Sequence, residues 1–238
     1  MKASKFNTVK KIKNKEASQN EFSELLRSEN EAVQQAVVSN INFTENMQIA
    51  LATDITTPVE VLYALSKSYY VVVRNCLAAN EKCPIEIIKM FVKKEDALMG
   101  VASNINTPIN ILESIFSSKN NIYNEFLSAN PSTPNKILEQ LCRDEDDYIR
   151  MNIAVNPSTS EKVLIVLASD ISKEVRSKVA ANQTSTVDVL NQLIEDNSYI
   201  SEIAKNNLRN RRSYEEIEFD ILKSLKNTPS SMDEFSLL

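Results

Sequence analysis

One phrase returns along this chain at an almost fixed interval. It is clearest as "NPSTPNKILEQL", Asn130 to Leu141. Asn80 heads "NEKCPIEII", Asn104 heads "NINTPINIL", Asn156 heads "NPSTSEKVL", Asn182 heads "NQTSTVDVL", and Asp54 heads "DITTPVEVL" in the same phase. From Asp54 the steps are 26, 24, 26, 26 and 26 residues, and a fainter copy ends at Asn206 after 24 more. A unit of this size cannot bury an apolar face alone, so neighbouring copies must stack to make one continuous core. The period therefore predicts an α-solenoid and excludes an ordinary closed globule.

Aligned on the heading Asn, each column has a physical job. Three residues on stands Thr57, Cys83, Thr107, Thr133, Thr159 or Ser185. Thr and Ser are N-cap residues, because the hydroxyl accepts a bond from an otherwise unpaired helix N–H. Pro58, Pro84, Pro108 or Pro134 comes next and suits the first helical position, where no N–H is needed. A first helix is thus expected at each point. Its buried stripe is Val61, Leu62 and Leu65, then Ile87, Ile88 and Phe91, and so on in every copy. These spacings fall on one helical face. After a polar break a second helix leads into the next Asn, with Val73, Leu77 and Ala78 as its buried pattern in one copy and Ile149, Ile153 and Ala154 in another. The small residue two before the Asn lets the next repeat approach closely.

The heading Asn residues Asn80, Asn104, Asn130, Asn156 and Asn182 are read as structural caps. A helix commonly closes on a left-handed residue, Gly first and Asn next, and the chain has one Gly, Gly100, inside a repeat. Their side chains could also bond the neighbouring loop and form a ladder. Arg74, Arg150 and Arg176 stand six before the Asn, with Asp144 and Asp170 six residues ahead of the latter two, so an ion pair within each repeat is expected. Leu98 and Asn124 interrupt that column.

At this point the phrase resembles the leucine-rich repeat variant family: an aliphatic residue, Arg, an aliphatic-Ala pair, then Asn-Pro-x-Thr-Pro and paired aliphatics. "IRMNIAVNPSTSEKVLIVL" (149–167) and "VRNCLAANEKCPIEII" (73–88) carry the likeness, which covers roughly residues 47–206. The resemblance implies an all-α, right-handed solenoid of about 24–26-residue two-helix repeats, similar to HEAT and armadillo superhelices. It is specific for fold and nearly silent on activity. Some members carry a Cys-rich iron–sulfur segment ahead of the repeats, and no Cys precedes Cys76 here, so that feature does not transfer. The organisation expected is a basic segment at 1–20, about seven repeats over 21–208, a closing helix over 209–226 and a loose tail over 227–238. Phe22, Leu25, Val33, Val37 and Asn40 fit a first repeat, and 41–54 reads as a repeat without its first helix. Ser213 and Glu216 stand at capping-box spacing at the start of the closing helix.

The chemistry available is narrow. The chain of 238 residues has no His, which removes His-based acid–base catalysis, the usual triads and most zinc sites. One Gly cannot build a phosphate-cradling loop. "DEDD" (144–147) could hold a divalent ion, yet reads better as a solvated turn whose acids favour the next helix N-terminus. Cys76, Cys83 and Cys142 are odd in number and widely spaced, as reduced thiols of a cytoplasmic protein would be. No apolar run reaches membrane-spanning length, and "MKASKFNTVKKIKNK" lacks the apolar core of a secretory signal. No cofactor, metal or small-molecule substrate is expected.

Charge narrows the partner. Residues 1–20 carry six Lys and one Glu, whereas 21–208 carry 16 basic and 25 acidic residues. A nucleic-acid-binding solenoid would carry a basic body. The alternative, a HEAT-like DNA-binding protein or alkylpurine DNA glycosylase, shares only stacked helices with this chain, which has no Trp. The reading is a non-enzymatic scaffold that binds a protein or peptide, as an adaptor, a regulator or a toxin-neutralising immunity protein. The candidate contacts are Ile49, Met99 and Met151, apolar five residues before the heading position, with Phe126 one column over and the acids Asp96, Glu125 and Asp146 beside them.

Overall fold

The structure, a computed structural model, describes residues 44–196 and 199–211. Every regular element among them is a helix. The chain forms two compact units, one up to Ser158 and one from Thr159. The first holds α1 (Glu45–Thr53), α2 (Val59–Leu65), α3 (Val71–Ala79), α4 (Ile85–Lys94), α5 (Leu98–Ser103), α6 (Ile109–Ser117), a 3-10 turn (Asn121–Tyr123), α7 (Asn124–Ala129), α8 (Asn135–Leu141) and α9 (Asp147–Val155). The second holds α10 (Glu161–Leu167), α11 (Lys173–Ala181), α12 (Val187–Ile194) and α13, a helix over 199–211. First and second helices alternate as the columns require, and α1 is a second helix leading into Asp54. The basic segment 1–20, the repeat around Phe22 to Asn40, the capping box at Ser213 and the tail lie outside the described residues.

The aliphatic columns are the core. Val61, Leu62, Leu65, Ile87, Ile88, Phe91, Leu112, Leu138 and their second-helix counterparts Val73, Leu77, Val101, Leu127 and Ile153 are buried in the first unit. Val163, Leu164, Leu167, Val175, Val179, Val189, Leu190 and Leu193 do the same in the second. Ile200 and Ala204 are also buried, seven and three before Asn207. The last repeat is therefore headed by Asn207, not Asn206. Asn206 is exposed and accepts a bond from Arg209 at 2.9 Å.

The cap chemistry differs from the sequence expectation. The Pro residues are themselves the caps, one residue later than the Thr expected, with φ/ψ of −57°/146° at Pro58 and −59°/142° at Pro134. Each Pro carbonyl accepts the first helical N–H groups, as Pro58 O does from Val61 and Leu62. The hydroxyls before them point backwards. Thr57 donates to Leu51 O, Thr107 to Val101 O, Thr133 to Leu127 O and Ser185 to Val179 O, at 2.6–2.7 Å. They satisfy the exposed carbonyls at the end of the preceding helix, which need a donor as much as the next helix start needs an acceptor.

The heading Asn residues do not adopt the left-handed conformation. Asn80, Asn104, Asn130, Asn156 and Asn182 are all extended, with φ between −78° and −67° and ψ between 120° and 127°. Their side chains explain the residue choice instead. In each of the first four, Nδ2 donates to two carbonyls of the preceding repeat. Asn104 reaches Ala78 O and Asn80 O at 2.7 Å each. Asn130 reaches Ala102 O and Asn104 O at 2.7 and 3.0 Å, and Asn156 reaches Ser128 O and Asn130 O at 2.9 and 3.0 Å. Oδ1 meanwhile accepts from the N–H two residues on, as in Lys82, Asn106, Ser132 and Ser158. Asn207 repeats the two donations in the second unit, to Ala180 O and Asn182 O. Only a short amide supplies two donors and an acceptor at this reach. An outer row supports the ladder, with Asn106 Nδ2 on Glu81 O, Ser132 Oγ on Ile105 O and Ser158 Oγ on Pro131 O.

Left-handed backbone occurs elsewhere, at Glu95 (φ 53°), Ala97 (φ 52°) and Lys119 (φ 55°), in the turns between first and second helices. Gly100 serves a close approach: a Cβ there would stand 2.0 Å from Asn75 O and 2.9 Å from Ala78 Cβ. That gap is what lets α3 and α5 pack, and Asn75 Oδ1 accepts the Gly100 N–H at 3.0 Å.

This bonding is testable at two places. Asn130→Gly, which a left-handed cap would tolerate, should destabilise by about 2 kcal/mol, because the buried Ala102 O loses its donor while Asn104 O keeps the Thr107 N–H. Glu95→Gly should stabilise by roughly 1 kcal/mol by removing the left-handed penalty. Urea unfolding of the two variants must move in opposite directions. The other place is Cys83, which stands in the Thr column with its thiol 3.8 Å from Pro84 O. Cys83→Thr should add about 1 kcal/mol by supplying the missing bond to Leu77 O, and an unchanged or lower midpoint would contradict it.

Candidate functional site

The second helices of the first unit, with the 3-10 turn before α7, expose side chains at positions eight, five and one before several heading residues. These spacings share a helical face. The column eight before is apolar and exposed in Val72, Ile122 and Tyr148, Val155 continues it one before Asn156, and exposures run from 38% at Met99 to 57% at Ile122. Of the contacts expected from the sequence, Met99 is exposed, while Ile49, Phe126 and Met151 are only half-buried and contribute partial surface. Val72, Ile122, Tyr148 and Val155 were missed. The signal was available, since their columns lie one helical turn either side of the column chosen.

The acids do not all serve this face. Glu125 is exposed in α7. Asp146 is exposed but caps α9, with Oδ1 accepting from Tyr148 N at 2.9 Å. Asp96 is engaged by Arg74, with Nε to Oδ2 at 2.6 Å and Nη2 to Oδ1 at 3.1 Å. That pair also corrects the expected ion pair within a repeat. Arg74 bonds the Asp of the following repeat, and Arg176 likewise bonds Asp196 at 2.8 Å. The residue six before each Arg is bonded through its backbone: Arg74 Nη1 donates to Ser68 O, Arg150 Nη1 to Asp144 O and Arg176 Nη1 to Asp170 O, at 2.6–2.7 Å. The Arg thus ties the turn to its own helix and the repeat to its neighbour. Arg74 and Arg150 are the only Lys or Arg in α1, α3, α5, α7 and α9. The outward face is therefore apolar and acidic, with its cations turned inward.

Reactive groups are scarce. The three cysteines are free thiols. Burial raises the Cys76 thiol and pushes Cys83 up to about 12, so neither offers a ready thiolate near neutral pH. The Glu174 carboxyl is lowered by a hydrogen bond to its own backbone N–H and one from Ser172. Among the described residues no three His, Cys, Asp or Glu side chains gather as a metal site would require. Within "DEDD", Asp144 Oδ1 accepts the Asp146 N–H at 3.1 Å, as a turn carboxylate does. No helix among the described residues is long and apolar enough to cross a membrane.

No family model matches the sequence, and no curated protein does. Among solved structures the chain is similar to a leucine-rich repeat variant described as having a novel repetitive protein structural motif, at 18% identity and a TM-score of 0.46, over 81% of this chain and 72% of that one.

The outward face should be separable from the core. Met99→Asp combined with Tyr148→Asp is expected to lower stability by less than about 1 kcal/mol, as surface changes do. Phe91→Ala, fully buried in α4, should cost about 3–5 kcal/mol. Thermal melts of the two variants give the comparison, and a large loss in the face variant would place those side chains in the core.

Proposed function

We propose that this protein is a non-enzymatic helical-repeat scaffold that binds another protein or a peptide through the outward face of its second helices. The observation that carries the reading is the run of exposed apolar side chains Val72, Met99, Ile122, Tyr148 and Val155 on that face, beside the exposed carboxylates Glu125 and Asp147. Apolar side chains lined up on a surface are a usual mark of an interaction site. A partner face with aliphatic or aromatic anchors and Lys or Arg around them complements this one. An adaptor, a regulator and an immunity protein each need no more than such a face. The absence of outward cations in these helices disfavours phosphate backbones, which nucleic-acid binding would require.

Photo-crosslinking tests the reading. A photoreactive residue placed at Met99 or Tyr148 in the full chain should trap one and the same protein in cells. Placement at Lys89 or Glu139, on first helices, should not trap it. Adding Glu125→Lys should weaken the trapped complex. Crosslinks arising only from the first-helix positions, or salt-sensitive retention on DNA by protein lacking residues 1–20, would overturn the assignment.

A further inference from the structure

A cleft of about 750 Å³ opens in the first unit, lined by Phe116 and Ser117 of α6, Asn121 and Asn124 of the second-helix start, and Ile137 and Leu141 of α8. Its origin can be read in register. Asn124 stands where neighbouring copies carry Arg74, Arg150 and Arg176, twenty residues after the heading position. Asn124 is shorter than the Arg of those copies, which leaves space beside it.

What the cleft lacks is as informative. Arg74 and Arg176 each neutralise a carboxylate of the following repeat, at Asp96 and Asp196. The matching carboxylate here is Asp144, twenty residues after Asn124 as Asp196 is after Arg176. Asn124 Nδ2 reaches Asp144 Oδ2 at 3.2 Å. That amide takes the geometric place of the guanidinium but brings no charge, and the half-buried Asp144 carboxylate, which is reached through Asn124 and does not itself line the cleft, accepts from the Asn124 amide and the Asp146 N–H with no cation bonded to it among the described residues. The backbone carbonyls that would receive a guanidinium at this position are those of Ser118 and Lys119, by analogy with Ser68 and Tyr69 under Arg74. Neither accepts a hydrogen bond among the described residues.

We propose that this cleft receives an arginine side chain from a partner protein, supplied in trans at the one described copy where Asn replaces the Arg. The aliphatic stem lies along Phe116 and Leu141, and the guanidinium displaces the Asn124 amide on Asp144. Arginine suits the site because a planar fork bonds a carboxylate and neighbouring carbonyls together, which an ammonium does less well. Lys119, Lys136 and Glu113 also line the cleft and are exposed. Their charges are screened by water more than that of the half-buried Asp144. The inference rests on the protein-binding reading, but it concerns a different surface and is tested without the partner.

The probe is Nα-acetyl-arginine N-methylamide, titrated into the full chain and followed by amide NMR shifts, with the lysine and glutamate analogues as controls. Shifts should concentrate at 117–124 and 136–144, and the lysine analogue should bind about tenfold more weakly, a difference of about 1.4 kcal/mol. Asn124→Arg should abolish the shifts and raise the melting temperature, because the chain then fills its own site. Asp144→Asn, with circular dichroism unchanged, should also abolish them. No localised shift, equal shifts with lysine, preference for the glutamate analogue, or persistence in Asn124→Arg would each overturn the site. Any of these would leave the crosslinking pattern from the second-helix face unaffected, so the two failures are distinguishable.

Discussion

The buried asparagine amide is the interaction on which the repeat depends. A two-helix unit ends with carbonyls that no helical N–H can reach. In a stack these carbonyls face the neighbouring copy and are shut away from water, so each must find a donor or cost about 1–3 kcal/mol. One Asn per copy answers for one of them, adds a second donor to the preceding heading carbonyl, and uses its own oxygen to hold the turn that follows. Asn104, Asn130 and Asn156 are almost wholly buried while doing so. Asp54 has no side-chain amide to give, and its carboxylate holds the local turn, through Thr56 N at 2.8 Å and Thr56 Oγ1 at 2.7 Å.

Several other choices follow from that bond. If the Asn must aim its amide at the previous copy, its backbone must be extended, and a left-handed residue would turn the side chain away. Pro after the Thr then suits the loop, because its ring holds φ near the value the turn already needs. The Thr hydroxyl, left without a role at the helix start, closes a third carbonyl behind it. Left-handed residues move to the turns between first and second helices, where Glu95 and Lys119 carry them without a glycine. The single Gly is reserved for the contact between α3 and α5, where no Cβ fits.

The period and the aliphatic columns made the helices and their buried faces legible from the sequence, because both depend on spacing alone. Direction was not legible. Thr57 could cap forward or bond backward, Arg74 could pair within its repeat or with the next, and Asn80 could bend or reach. Each alternative uses the same residue type, and only the placement of the neighbouring copy decides. For the candidate face the sequence identified Met99 through its column, and Val72, Ile122 and Tyr148 were legible one helical turn away from it. Asn206 and Asn207 show the same limit at the end of the chain. Two adjacent amides are equal in sequence, and the buried positions of Ile200 and Ala204 select the second.

In such a chain, function is best sought where the pattern lapses. Most polar side chains in the repeats are committed to bonds between or within copies, and a committed group has nothing left for a ligand. The Arg column illustrates this, since the Arg74 guanidinium is taken up by two carbonyls and a carboxylate. Asn124 breaks the column while Asp144 keeps its half of the arrangement, and a cleft opens beside Asn124 at that copy. The outward columns show the converse. Nothing in the stacking needs apolar residues eight before the heading position, yet Val72, Ile122 and Tyr148 stand there exposed. A lapse that removes a structural bond creates a pocket, and a residue the stack does not require creates a surface. Both are departures from a regular frame, and departures are where a ligand finds groups the frame has not already used.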